Sequence, residues 1–156
     1  MNFAEIKNVI TGEAVVASGA ETLYTKGIES CVVICVWDHE AKVGGMAHVA
    51  LPSYPGLGAR SLFSSGVSPE VAFPFLISTM KRKGASVKNM TVRLVCTGDV
   101  KNSGSEIIEL TNRITSTLNI PVAPGSVKGH IGKSAEFNVK SGVIKVRHSD
   151  GSLERV

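Results

Sequence analysis

Seven consecutive apolar residues, Cys31 to Trp37 (CVVICVW), constrain this chain more than any other feature. Four of them are β-branched, and the run is too short for a helix of ordinary length. Such a run has both faces to bury, so it predicts a central strand covered on either side. The polar stretch Asp38 to Lys42 (DHEAK) then predicts a turn, and Val43 to Leu51 (VGGMAHVAL) a second strand that Pro52 ends. Together they predict a β-hairpin at the centre of the fold.

The rest of the chain is read around that hairpin. Asn8 to Ser18 predicts a strand, and Ser53 to Gly66 a long loop. Ser68-Pro69-Glu70 is a helix start, with serine as cap and proline in the first turn. That helix runs to about Lys83 and stops at Gly84, with Pro74 predicting a kink or a later start. Met90 to Thr97 alternates as a strand, and Ile107, Leu110, Ile114 and Leu118 give Ser105 to Leu118 the spacing of an amphipathic helix. Ser134 to Lys140 and Val143 to His148 form a hairpin about Ser141-Gly142. Strands outnumber helices and no βαβ fingerprint occurs, so the fold class is α+β, sheet layers with helices packed outside them. A length of 156 residues predicts a single domain, 1–156.

Composition excludes several function classes. With 43% hydrophobic and 19% charged residues, the chain is neither a disordered tail nor a highly charged linker. No apolar run is long enough to cross a bilayer, and the start lacks the pattern of a secretory leader. Three cysteines, an odd number, suit reduced thiols in the cytoplasm better than a disulfide framework. The net charge of +4 is mild, and Lys81-Arg82-Lys83 complements a helix dipole more naturally than it contacts nucleic acid.

The side chains that can carry chemistry lie on the hairpin. Cys31 opens the first strand, where a nucleophile is both accessible and rigidly held. With a turn near Glu40, His48 falls almost opposite Cys31, close enough for a thiolate–imidazolium pair. A slip of one residue would separate them onto opposite faces. The bland alternative is equally physical: a buried cysteine is a small core residue, and an isolated histidine is usually capped or solvated. Cys35 and Cys96 read as core. A Cys3His zinc site from Cys31, Cys35, Cys96 and His48 is disfavoured, because the CxxxC spacing separates the sulfurs along a strand. His39, His130 and His148 read as solvated, and Gly125 to Gly129 as a loop without the Gly-Lys-Ser/Thr ending of a phosphate-binding loop.

The local sequence closely resembles the chemoreceptor glutamine deamidase family, CheD. The resemblance rests on Thr25-x-Gly27-x-x-Ser30-Cys31, on Asp38-x-x-Ala41-Lys42-Val43-Gly44-Gly45-Met46-Ala47-His48-Val49-x-Leu51-Pro52, on Gly84-Ala85, and on Ser134-Ala135-Glu136-Phe137-Asn138. It implies a β-sandwich flanked by helices, like the catalytic domain of cytotoxic necrotizing factor toxins. It implies hydrolysis of glutamine side chains on methyl-accepting chemotaxis receptors, with receptor methylesterase activity in some members. Cys31 matches the family's nucleophile, His48 its base and Thr25 its third residue. Gly27 and Ser30 shape the site, with backbone N–H groups around Ser30-Cys31 facing the oxyanion. No cofactor or metal is implied. The implied partners are receptor cytoplasmic helices and a CheC-type phosphatase.

Three stretches depart from the family pattern: Glu29 replaces a usual glycine, and Thr97-Gly98-Asp99-Val100 and Val127 to Ile131 differ from the usual loops. These departures keep a second expectation open, a CheD-like binding module that regulates a phosphatase or receptor without catalysis.

Overall fold

The computed structural model describes residues 5–28, 31–50, 68–97, 105–124, 126–128 and 132–156. Ten strands form two five-stranded sheets. The first sheet has the order β1 (Ile6–Asn8), β3 (Thr22–Ile28), β8 (Gly132–Asn138), β9 (Ile144–His148), β10 (Leu153–Arg155). The second has the order β2 (Ala14–Ser18), β5 (Val43–Ala50), β4 (Cys31–Asp38), β6 (Met90–Thr97), β7 (Ser126–Lys128). The described residues also form helices α1 (Pro69–Arg82) and α2 (Ser105–Thr117) and a 3-10 turn at Val87–Asn89. The fold is thus α+β, with mixed sheets and, among the described residues, two helices.

The apolar run at Cys31–Trp37 does sit in the middle of its sheet, paired with β5 on one side and β6 on the other. Its two faces feed two separate cores. Val32, Ile34 and Val36 pack with Phe73, Leu76 and Met80 of α1. Cys31, Val33 and Cys35 pack with Leu23, Phe137, Ile144 and Val146 of the first sheet. A strand with no solvent face has no reason to alternate polar with apolar residues, which is why the sequence does not. The glycine pair in β5 follows from the same arrangement. A Cβ at Gly44 would lie 2.6 Å from Val139, and one at Gly45 would lie 2.8 Å from Leu76, so each is kept small by a different layer.

Several expectations are corrected. Asn8 to Ser18 is not one strand. It is the end of β1 and the whole of β2, in different sheets, separated by a turn at Ile10–Glu13. Thr25 to Ser30, with Lys26 and Gly27, has the composition of a polar turn, yet Thr25 to Ile28 belongs to β3, an inner strand whose partner, β8, is more than a hundred residues away. Part of the Gly125–Gly129 loop forms β7, pairing parallel with β6. Helix α1 begins at Pro69 and continues through Pro74, so the later start does not occur. In α2 the fully buried positions are Thr111 and Thr115, while Leu118 is 37% exposed. Thr115 tolerates burial because its hydroxyl donates back to the carbonyls of Thr111 and Asn112. The Ser53–Gly66 loop lies outside the described residues.

The hairpin turn is tied down by Asp38, which is fully buried. Burial alone would raise its carboxyl, but N–H groups of Ala41, Ser86 and Glu40 donate to it and hold it below the usual carboxylate value. The bond from Ser86 also fastens the segment after α1 to the turn. Helix α1 itself closes with Gly84 N–H donating to Lys81 and Ala85 N–H to Met80, the paired pattern of a Schellman end. No described helix is long and apolar enough to cross a membrane.

Candidate active site

β4 and β5 pair so that Val33 faces His48 and Cys31 faces Ala50. The sequence expectation of Cys31 almost opposite His48 is therefore off by one step of two residues. The turn occupies residues 39–42, with pairing resuming at Asp38 and Val43. An even offset preserves the face. Cys31 and His48 are diagonal neighbours on the side of the sheet that packs on the first sheet, about 7–8 Å apart at Cα and less at Cβ. Cys31 is 6% exposed and lies at the strand's first residue, the edge of the inter-sheet core.

Thr25 reaches this pair from the other layer. It lies in β3, is buried, and brings its hydroxyl to 2.7 Å from His48 Nδ1. The same hydroxyl is 2.6 Å from the carbonyl oxygen of Val9 and donates to it. A threonine has one hydroxyl proton. With that proton on Val9, the oxygen can only accept from the ring, so the network assigns the proton of neutral His48 to Nδ1. Nε2 is then a bare lone pair. It is buried and has no hydrogen-bond partner among the described residues. Leaving a buried acceptor unsatisfied costs about 1–3 kcal/mol, and a role in chemistry is one of the reasons such a group is retained.

Burial pushes the His48 imidazolium down to a pKa of about 4. A resting thiolate–imidazolium pair is therefore disfavoured, contrary to the expectation from spacing. The geometry suits a neutral imidazole that accepts a proton during the reaction. A stability consequence follows. An unfolded histidine titrates near 6.5 and the folded one near 4, so between those values the unfolded chain binds the extra proton. Stability is complete above about pH 6.5 and falls as pH drops toward 4, by up to roughly 3 kcal/mol. Denaturant titrations near pH 7 and near pH 5 should show this loss, and His48→Asn should remove most of it.

The remaining candidates are distributed as follows. Gly27 is exposed, with φ of 70°, one residue before β3 ends. Ser30, Glu29 and His130 lie outside the described residues. Cys35 shares the inward face with Cys31, whereas Cys96 belongs to the core beneath the helices. The four residues of a zinc site are thus split across two faces of the sheet. Burial raises both Cys35 and Cys96 thiols to about 12, as expected of core cysteines. His39 is exposed against Trp37. His148, read as solvated, is instead 1% exposed, and its ring lies 3.4 Å from Glu154. It ends an alternation in β9 that buries Ile144 and Val146, so its inward direction is set by the strand period. A concavity of about 520 Å³ between α1 and α2 is apolar and lies on the far side of the second sheet from His48. Among the described residues that line it there is no nucleophile–base pair. Sequence reasoning missed the Val9 carbonyl and the turn after it; Gly12 inside an apparent strand was the available signal.

The chain matches several known proteins over most of its length. It is 28% identical over 152 residues to the chemoreceptor glutamine deamidase CheD of Thermotoga maritima, covering 94% of each chain. It is 28% identical over 149 residues to a probable chemoreceptor glutamine deamidase CheD of Methanococcus maripaludis, covering 91% of this chain and 94% of that one. A probable chemoreceptor glutamine deamidase CheD of Desulfitobacterium hafniense is 31% identical over 140 residues, covering 80% of this chain and 82% of that one. No family model matches. With the hairpin, the inter-sheet Thr25–His48 bond and these matches taken together, the chain belongs to the CheD family.

Proposed function

We propose that this protein hydrolyses glutamine side-chain amides of chemoreceptors to glutamates, with Cys31 as nucleophile and His48 as base. The observation that carries the reading is the buried, bare Nε2 of His48, fixed by Thr25 on a sheet face shared with Cys31.

The steps balance as follows. Nε2 takes the thiol proton while sulfur attacks the amide carbon, giving a tetrahedral oxyanion and an imidazolium. Backbone N–H groups at the start of β4 face that oxyanion. The C–N bond breaks, His48 returns the proton to the departing ammonia, and a thioester remains. His48 then takes a proton from water, the hydroxide adds to the thioester, and glutamate leaves as sulfur regains its proton. A glutamyl methyl ester enters the same cycle with methanol as leaving group. The reacting thiol belongs to a reducing compartment, the cytoplasm, where receptor helices and a CheC-type phosphatase are the partners of this reading.

Incubating the protein with a receptor cytoplasmic fragment should release ammonia and convert discrete glutamines to glutamates by mass spectrometry. An unchanged fragment, with a methylated fragment equally untouched, would exclude the hydrolase. One observation favours the second reading, a docking module without chemistry: Cys31 is only 6% exposed. Iodoacetamide separates the two. Cys31 modified much faster than in His48→Asn belongs to the enzyme, whose imidazole takes the thiol proton as sulfur attacks, and equally slow modification in both proteins belongs to the module.

A further inference from the structure

Between β1 in one sheet and β2 in the other, the chain crosses directly over His48. The crossing is a four-residue turn, Ile10–Glu13. Glu13 N–H donates to the Ile10 carbonyl at 3.0 Å, and the Glu13 carboxylate accepts from Ile10 N–H at 3.1 Å. Gly12, third in the turn, has φ of 90°, the value a type II turn demands there. Gly12 and Glu13 then both oppose His48: Gly12 N–H donates to the His48 carbonyl at 2.8 Å, and His48 N–H donates to the Glu13 carbonyl at 3.1 Å. Two residues facing one is a β-bulge, and a left-handed glycine in its first place is the G1 form. One residue upstream of the turn, Val9 N–H donates to Tyr24 at 2.8 Å and the Val9 carbonyl takes the Thr25 proton at 2.6 Å.

We infer that the segment Val9–Glu13 is a positioning element of the active site, setting the His48 backbone through a G1 bulge and its tautomer through the Val9 carbonyl and Thr25. All of its contributions are main-chain groups, and two different layers receive them. The bulge holds the Cα of His48. The Val9 carbonyl orients the Thr25 hydroxyl so that it accepts from Nδ1 rather than donating to it. Were the hydroxyl to turn toward Nδ1, the ring proton would move to Nε2, and the base would be lost without any side chain being changed. Bulges beside catalytic strands commonly re-aim a side chain in this way. The inference rests on the Cys31–His48 reading for its kinetic consequence, but not for its spectroscopic one.

The test is long-range ¹H–¹⁵N correlation of the histidine rings in the resting protein, combined with kinetics. Wild type should show His48 protonated at Nδ1 and bare at Nε2. Gly12→Ala places a Cβ at a left-handed position, and should shift His48 toward the Nε2–H form and lower kcat on the order of 10²-fold with KM little changed. Gly12→Asn, which type II turns accept at this place, should restore both. Thr25→Val should give the same tautomer shift and Thr25→Ser should reverse it. If Gly12→Ala does not fold, Glu13→Ala, which removes only an exposed clamp on the turn, should move tautomer and kcat in the same direction by a smaller factor. A folded Gly12→Ala or Glu13→Ala protein with the wild-type tautomer and kcat overturns the inference, as does a wild-type ring protonated at Nε2. A correct tautomer in a protein that releases no ammonia would overturn the deamidase reading and leave the positioning role standing.

Discussion

Cys31→Ala is expected to lose ammonia release by roughly 10⁴-fold or more while keeping the wild-type fold. The loss is large because no other described thiol can substitute. Cys35 shares the inward face, but burial raises it to about 12, and Cys96 is equally raised and lies beneath the helices. The fold survives because Cys31 sits at the first residue of its strand, and alanine fits the same position with one atom fewer. Cys31→Ser should be nearly as inactive. A neutral imidazole whose acid form titrates near 4 is too weak a base to activate a hydroxyl as it does a thiol. Cys35→Ala and Cys96→Ala should retain turnover, with some loss of stability from the cavities they leave. Ammonia assays on the four variants, with circular dichroism for the fold, check this. Full activity in Cys31→Ala would end the nucleophile assignment.

Gly142→Ala carries the largest expected effect on stability. Gly142 has φ of 77°, a region an L-residue enters at a cost of about 1–2 kcal/mol. An added Cβ would also lie 2.4–2.6 Å from three carbons of the Trp37 ring. That ring is not free to withdraw: its indole N–H donates to the Val139 carbonyl at 2.7 Å, and Lys42 sits over its face at 5.3 Å. Arg93 holds the same turn by donating to the Gly142 carbonyl at 2.7 Å. Overpacking of this kind adds about 1–3 kcal/mol, so the total is about 2–5 kcal/mol. Urea melts should show a lower midpoint with an unchanged slope. The Gly142 turn clasps the two sheets at the end of β4 opposite Cys31, so residual activity per folded molecule should be near wild type. A midpoint shift that, multiplied by the slope, amounts to less than about 1 kcal/mol would mean that Trp37 moves aside at little cost.

The hairpin that carries Cys31 and His48 was legible because its physics is local. A doubly buried strand must be apolar throughout, and a turn capped by Asp38 must be polar. The register was displaced by two residues because the turn is centred between Glu40 and Ala41, one residue later than a Cys31–His48 pairing needs, but the face survived, and the face is what the proposed chemistry needs. β3 was not legible. Thr22 to Ile28 carries Lys26 and Gly27 and alternates weakly, and it is a strand because β8 pairs with it from the other end of the chain. The same long-range pairing places Thr25 against His48, so that contact came only through family resemblance. His148 was misjudged for a related reason: its burial depends on a hairpin face whose covering layer is remote in sequence. The short strands β7 and β10 hold three residues each, too few to show any period.

The bond between Thr25 and His48 joins the two layers at the histidine itself, within a gap that apolar packing fills. The smallest transplantable unit of this chemistry is therefore not the hairpin. A scaffold given β4 and β5 alone would receive the proposed nucleophile and base, but the imidazole would be free to rotate and to change tautomer. A faithful graft needs a second sheet at the native spacing and a main-chain carbonyl behind the threonine, which makes the two sheets together the minimal unit of the proposed site.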